Sequence, residues 1–290
     1  MAENSAISWT THTWNPWMGC TKVSPACDGC YAEALMDKRY GKVKWGNHPR
    51  HRTGAHTWND PFRWQKQAEK DGDRPFVFCA SLADIFDNQV DPQWRADAFD
   101  VMRQTPRLVY LLLTKRPQNI VKLSEAAGGL PQNAAIGATC EDQKRANINV
   151  PALLDAKGIV DPAFTFLSCE PLLSHIQIAE YLPNKLWNDI PSWKQPELDW
   201  VITGGETDQG GHKARPTKPD WIRSLRDQCA AAGVPFHHKQ NGEWVSVSEV
   251  AGPGEHFKFE DGATVRRIGK RLSGRTIDGV EHNAFPIVRP

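Results

Sequence analysis

The chain has no long apolar stretch: its longest wholly apolar run, Leu108 to Leu113, is far too short to cross a bilayer, and no membrane association is expected. Its first residues, Met-Ala-Glu-Asn-Ser, lack the basic and apolar regions of a secretory signal, so a cytoplasmic location is expected. An excess of one charge is missing too. The 35 Lys and Arg against 34 Asp and Glu leave a net charge of +1, so any contact with nucleic acid must come from local patches. Seven cysteines, an odd number without a secretory signal, argue against a disulfide framework and make clustered thiols read as metal ligands. What remains, 40% hydrophobic and 24% charged residues over 290 positions, suffices to bury the core of one α/β barrel.

Three of the seven cysteines stand together as Cys20, Cys27 and Cys30, with spacing C-x6-C-x2-C, just after a strand-like segment at residues 7–14. Pro25 and Gly29 shape the loop between them, and a helix is expected from Tyr31. Three thiolates on one loop can hold three irons of a [4Fe–4S] cluster and leave the fourth iron open to a small molecule, unlike a closed four-thiolate centre. Trp9, Trp14 and Trp17 flank the loop, either as a shield for such a cluster or as ordinary core aromatics. The other cysteines, Cys79, Cys140, Cys169 and Cys229, are scattered singly.

Apolar runs recur about every 30 residues, at Phe76–Ala80, Leu108–Leu113, Ala134–Ala138, Phe164–Leu167, Trp200–Thr203 and Val234–His237. Helix-compatible stretches separate most of them: Pro92–Arg103, Pro117–Ala127, Gln143–Ala156 and Pro219–Ala232. This alternation predicts βα units on a parallel sheet. The fold class expected is α/β, a partial (β/α) TIM-like barrel of about six to seven parallel strands. No Gly-rich dinucleotide turn follows the first strand, which argues against a flat doubly wound sheet. A further helix is expected to open at Asp60-Pro61, with Asp60 as N-cap. Residues 183–198 read as a surface insertion. From about 241 the pattern stops, giving a barrel over 1–240 and an irregular C-terminal extension packed on it over 241–290.

Chemistry in such a barrel sits at the carboxyl ends of the strands. Each expected strand here ends in polar residues: Ser81 to Asp84, Thr114 to Pro117, Thr139 to Asp142, Ser168 to Pro171, Gly204 to Glu206 and His238 to Gln240. Six in succession argue for one polar pocket. Asp84 and Glu141, taken singly, read as helix caps. Glu170 is less easily a cap. Gly204 and Gly205 allow a ligand to approach the backbone, with Glu206 free to grip an amine. Lys115 and Lys239 suit structural ion pairs or a substrate carboxylate or phosphate. Cys140 and Cys169 read as apolar fillers or, at a pocket mouth, as thiols able to give a hydrogen atom to a radical. The basic stretches at 38–52 and 266–275 read as solvated surface or as phosphate-contacting patches.

With the cysteine loop and these strand ends in view, the chain resembles the radical S-adenosylmethionine (SAM) superfamily, and within it a phage-associated branch of unknown function. The likeness spans nearly the whole chain and rests on Trp14-Asn15-Pro16, Gly19-Cys20, Cys27 to Ala32, Thr114 to Pro117, Ser168 to Leu173, Gly204 to Glu206, Arg215-Pro216 and the closing pairs Gly274-Arg275, Asp278-Gly279 and Phe285-Pro286. It implies a [4Fe–4S] cluster on Cys20, Cys27 and Cys30, and SAM on the open iron, cleaved reductively to a 5′-deoxyadenosyl radical that takes hydrogen from a substrate. It further implies that Ser81 and Asp84 hold the methionyl amine, and that Lys115, Glu141 and Ser168 hold ribose and carboxylate. Gly204, Gly205 and Glu206 join the cofactor set, and Glu170, Cys140 and Lys239 are the catalytic candidates. A flavodoxin- or ferredoxin-like electron donor follows as a partner, and a nucleotide or DNA base as substrate. Two departures stand out. The superfamily's commonest spacing is C-x3-C-x2-C, and the position before the last cysteine, often aromatic, is Gly29 here, so adenine stacking falls to Tyr31 or a nearby tryptophan.

Two other readings compete. Zinc on the three cysteines and a ligand such as His12 would make a nucleic-acid-binding module, but no second Cys-x2-Cys or His-x3-His completes the site. A barrel hydrolase or lyase with Glu170 and Lys239 as acid and base would leave the cysteine loop unexplained.

Overall fold

A computed structural model describes residues 3–183 and 197–288; most of the expected insertion at 183–198 lies outside the described residues. Seven strands form one sheet: β1 (His12–Trp14), β2 (Phe76–Cys79), β3 (Val109–Thr114), β4 (Ala134–Thr139), β5 (Thr165–Cys169), β6 (Trp200–Gly204) and β7 (Phe236–Gln240). They are all parallel and lie in sequence order. A doubly wound sheet reverses its order at a switch point. This one does not, and it curls into a half-open (β/α) barrel.

Side chains alternate along each strand, and the alternation sorts the core into two layers. Val77, Tyr110, Leu112, Ile136, Leu167 and Val201 face the helices, where they meet Phe99, Val150, Leu153, Ile222 and Leu225. Their neighbours Phe78, Leu111, Ala135, Phe166 and Ile202 face the concave side and pack with Trp9, Phe164 and Trp200. This aromatic plug fills the barrel floor. Gly137 belongs to it: a Cβ there would stand 2.4 Å from the Phe166 ring, so only glycine lets the ring lie across β4.

The helices Pro92–Arg103 and Pro219–Ala232 match their sequence expectations at both ends. The helix expected at Asp60 is different. It runs Ala55–Asp71 with Gly54 as N-cap, and Pro61 lies inside it. An internal proline removes the hydrogen bond to the carbonyl four residues back. That carbonyl, Thr57 O, is taken instead by Trp14 Nε1 at 2.9 Å. The buried face Thr57, Trp64, Gln65, Ala68 holds the helix across the defect.

Beyond residue 240 the βα alternation stops, and the extension is more ordered than its Gly, Pro and charge content suggests. Its strands β8 (Trp244–Ser246), β9 (Glu255–Lys258) and β10 (Thr264–Arg267) make an antiparallel sheet in the order β8-β10-β9. Residues 282–284 run back along the free edge of β7, where His238 N donates to His282 O (2.9 Å) and Ala284 N to Phe236 O (3.3 Å). No described helix is long and apolar enough to cross a membrane.

Candidate active site

The inward side chains at the carboxyl ends of the strands change from apolar to polar within one pleat. Leu113, Thr139, Ser168 and Lys239 all line one cavity of about 1150 Å³ at the barrel mouth, above Trp9 and Phe78. Thr139 and Ser168 sit side by side in register. The volume exceeds the roughly 300–1,000 Å³ of an ordinary small-molecule site.

Cys20, Cys27 and Cys30 line the same cavity, and all are free thiols. Their loop is pinned from below by three arginines, each following a different strand. Arg116 Nη2 donates to Thr21 O (2.7 Å), Arg145 Nη2 to Val23 O (2.8 Å) and Arg215 Nη2 to Pro25 O (3.0 Å). Alternate carbonyls of one short loop are thus satisfied by three permanent cations. Arg116 also points Nη1 at Cys20 Sγ (3.6 Å).

Two of the arginines are themselves held by buried carboxylates. Asp84 accepts Arg116 Nη1 at 2.9 Å, Thr114 Oγ1 at 2.7 Å, and the amides of Phe86 (3.0 Å) and Lys115 (3.1 Å). The carboxylate expected to grip an amine is therefore fully engaged within the protein. Glu206 grips Arg215 in the same way, at 2.8 and 2.5 Å through both its oxygens, with His212 at 3.1 Å. Those donors hold the Glu206 carboxyl below its ordinary range against the burial that would raise it. Gly29 completes this joint: a Cβ would come within 2.7 Å of the His212 ring, which fills the place of a side chain before the third cysteine.

The other expected residues divide. Ser81, Tyr31 and Ser168 line the cavity. Ser81 meets Asn15 (3.0 Å), Tyr31 OH donates to Ser81 O (2.5 Å), and Ser168 Oγ to Glu170 Oε2 (3.2 Å). Glu170 and Lys239 pair at 3.3 Å on its wall. Gly205 also lines it, but its missing Cβ makes room for Asn241 O, which that atom would approach to 1.8 Å. Gly204, Cys140 and Glu141 do not line it. Gly204 gives space to Glu170, whose Oε1 would stand 2.5 Å from a Cβ. Cys140 is buried in the helix-side core. Glu141 lies beneath the cysteine loop, where Oε1 accepts Ala26 N at 3.3 Å, and the next helix is capped by Asp142 instead. Lys115 contacts Thr139 Oγ1 (3.3 Å) and has no carboxylate in ion-pairing range among the described residues.

Burial pushes the Cys20 thiol up to about 11, Asp84 adding to it and Arg116 opposing; burial likewise raises Cys30. Both shifts favour the protonated thiols, so binding a metal there must displace protons. The donor set has a particular character. Among the described residues no three Cys, His, Asp or Glu side chains gather round one point as a single ion requires. Three thiols spread along one cavity wall suit a cluster, where each thiolate meets its own iron.

Arg145 and His212 carry no mark in the sequence. Arg116 falls within the Thr114 to Pro117 strand end, Arg215 stands beside Pro216 in the loop before the helix Pro219–Ala232, and Lys270 lies in the basic stretch 266–275, but the sequence assigns none of the three a partner.

Fold and site together define a half-open parallel (β/α) barrel whose mouth carries a three-cysteine loop. The chain belongs to the family described as "Protein of unknown function (DUF5131)", whose model matches residues 4–286. No curated protein matches it. Among solved structures, two variants of spore photoproduct lyase resemble it at 11% and 12% identity, each covering 92% of this chain and 71% of the other, with a TM-score of 0.44.

Proposed function

We propose that the protein is a radical SAM enzyme. The observation that carries this reading is the set of three free thiols, on one arginine-pinned loop, facing a cavity at the carboxyl ends of a parallel half-barrel. Cys20, Cys27 and Cys30 would hold a [4Fe–4S] cluster, and Lys115, as the unpaired cation beside the thiols, the carboxylate of SAM. Ser81, Ser168 and Glu170 offer hydrogen bonds to its amine and ribose, and Tyr31 a ring face for adenine. When bound, the pair supplies a 5′-deoxyadenosyl radical after one electron arrives from a flavodoxin- or ferredoxin-like donor.

The residues of the chain have three tasks. The aromatic floor of Trp9 and Phe78 keeps water from below, which a hydrogen-abstracting site requires. Arg116 places an N–H at Cys20 Sγ and so favours the more negative state of whatever that sulfur binds. The Glu170–Lys239 pair keeps a proton donor and acceptor together on the cavity wall.

The test is anaerobic reconstitution with iron and sulfide, reduction with dithionite in the presence of SAM, and chromatography for 5′-deoxyadenosine. Its formation, and its absence with Cys27→Ala, is the expected result. Tight zinc binding with no iron–sulfide uptake would refute the reading.

A further inference from the structure

The two basic stretches of the sequence, 38–52 and 266–275, meet at one cavity. Lys38 and Arg39, from the helical segment behind the cysteine loop, line it. Lys239, Lys270 and Arg275, from β7 and the extension, line it too. With Lys22 and Lys115, the lining holds seven cations against three carboxylates, Asp84, Glu170 and Glu206. Two of those carboxylates, Asp84 and Glu206, are already bound to Arg116 and Arg215, while among the cations Lys22 and Lys38 meet Glu33 (2.9 and 3.7 Å) and Lys239 meets Glu170 (3.3 Å).

Other cations of the same stretches are consumed by structure. Arg50 is buried against Asp87 at 2.6 Å, and Arg52 pairs with Asp97 at 2.7 Å while lying over Trp58. Arg39 and Lys270 are different: among the described residues neither has a carboxylate in ion-pairing range, and both are exposed. Burial of its stem holds the Lys270 ammonium below its ordinary value; Lys239 nearby adds to this, while Glu170 and Glu243 oppose it.

We propose that the mouth is a binding site for a single nucleic-acid strand, whose phosphates are held by Arg39 and Lys38 and by Lys270 and Lys239, with one nucleoside reaching down between them toward the thiols. The proposal rests on the radical SAM reading only for what happens to that nucleoside. The binding itself needs only the cations and the cavity. Flanking cations that hold phosphates, with room between for a base, are how proteins grip single strands without reading sequence.

The experiment is fluorescence anisotropy with a labelled single-stranded hexanucleotide over a salt series, on the full chain as purified, with its iron content measured alongside. Wild type should bind, weakening as salt rises. R39Q/K270Q should bind about tenfold more weakly at low salt, and the slope of log Kd against log salt should fall by about 1.4, since each lost phosphate contact removes roughly 0.7. K122Q, on the helix Ile120–Ala126 outside the cavity, should behave as wild type. Thermal melting of each variant checks that folding is intact, and K270Q alone serves if the double variant unfolds. No hexanucleotide binding, an unchanged slope in R39Q/K270Q, an equal loss in K122Q, or equally tight binding of a nucleoside monophosphate would each overturn the proposal. An iron-free, cluster-incompetent protein that still binds the strand would refute the radical reading and leave this one standing. A cluster-loaded protein that binds no strand would do the reverse.

Discussion

At the scale of single residues, the site depends on arginines as much as on cysteines. Glu206 is almost fully buried and is neutralised by Arg215 through two hydrogen bonds. Removing one partner of such a pair leaves a buried charge, at a cost of about 3–5 kcal/mol. Arg215→Ala should therefore lower the melting temperature by roughly 6–20 °C for a chain this long, measured by calorimetry. Loss of less than a degree would mean that Glu206 is not held as described. Arg116 serves the loop carbonyl Thr21 O and the Cys20 thiol while pairing with the buried Asp84. Arg116→Lys keeps a charge but cannot serve both Thr21 O and Cys20 Sγ, so cluster loading should fall several-fold while melting changes little. Iron content per chain, with circular dichroism, separates the two effects.

At the scale of elements, the barrel was legible because its signals are local. Strand ends follow the apolar runs, and Pro92 and Pro219 begin helices where proline fits the first turn. Asp60-Pro61 misled for the same reason: the pair has the form of a helix start, and the side chain that compensates for the internal proline, Trp14, comes from a strand 43 residues away. The polar strand ends marked the pocket but not the partners inside it. Asp84 read singly as a cap and Glu206 as free to grip an amine, since Arg116 and Arg215 reach them only after folding. Cys140, placed at a strand end, falls on the helix-facing side of the pleat. The concave side carries its own test. Gly137→Ala would push a methyl into the Phe166 ring, an overpacking that costs about 1–3 kcal/mol. A shift in the urea midpoint without a change in slope is expected. No shift would mean that the plug is loosely packed.

At the scale of the whole molecule, the closing edge of the barrel sets a pH limit. His237 is held down to about 4 by burial, with Arg275 and Lys239 beside it, and His238 to about 3, chiefly by burial. His238 bridges Thr203 Oγ1 (2.9 Å) and Asn241 Oδ1 (3.1 Å). Both rings are neutral in the folded and unfolded chain above pH 6.5. As pH falls below that value the unfolded chain takes up protons that the folded one refuses, and stability is lost down to about pH 4 for His237 and about pH 3 for His238. By pH 5 the two together should cost roughly 4 kcal/mol relative to pH 7.5. Urea denaturation at the two values checks this, and equal midpoints would contradict it.

The most direct test of the account joins the cysteine loop, the cavity and Lys115 in one spectrum. The anaerobically reconstituted protein is reduced and its electron paramagnetic resonance recorded with and without SAM. A [4Fe–4S]⁺ signal whose g-values shift on adding SAM, absent in Cys20→Ala, Cys27→Ala and Cys30→Ala, and weaker in its response to SAM with Lys115→Gln, is the predicted result. A colourless protein, or a cluster signal unmoved by SAM, would contradict it.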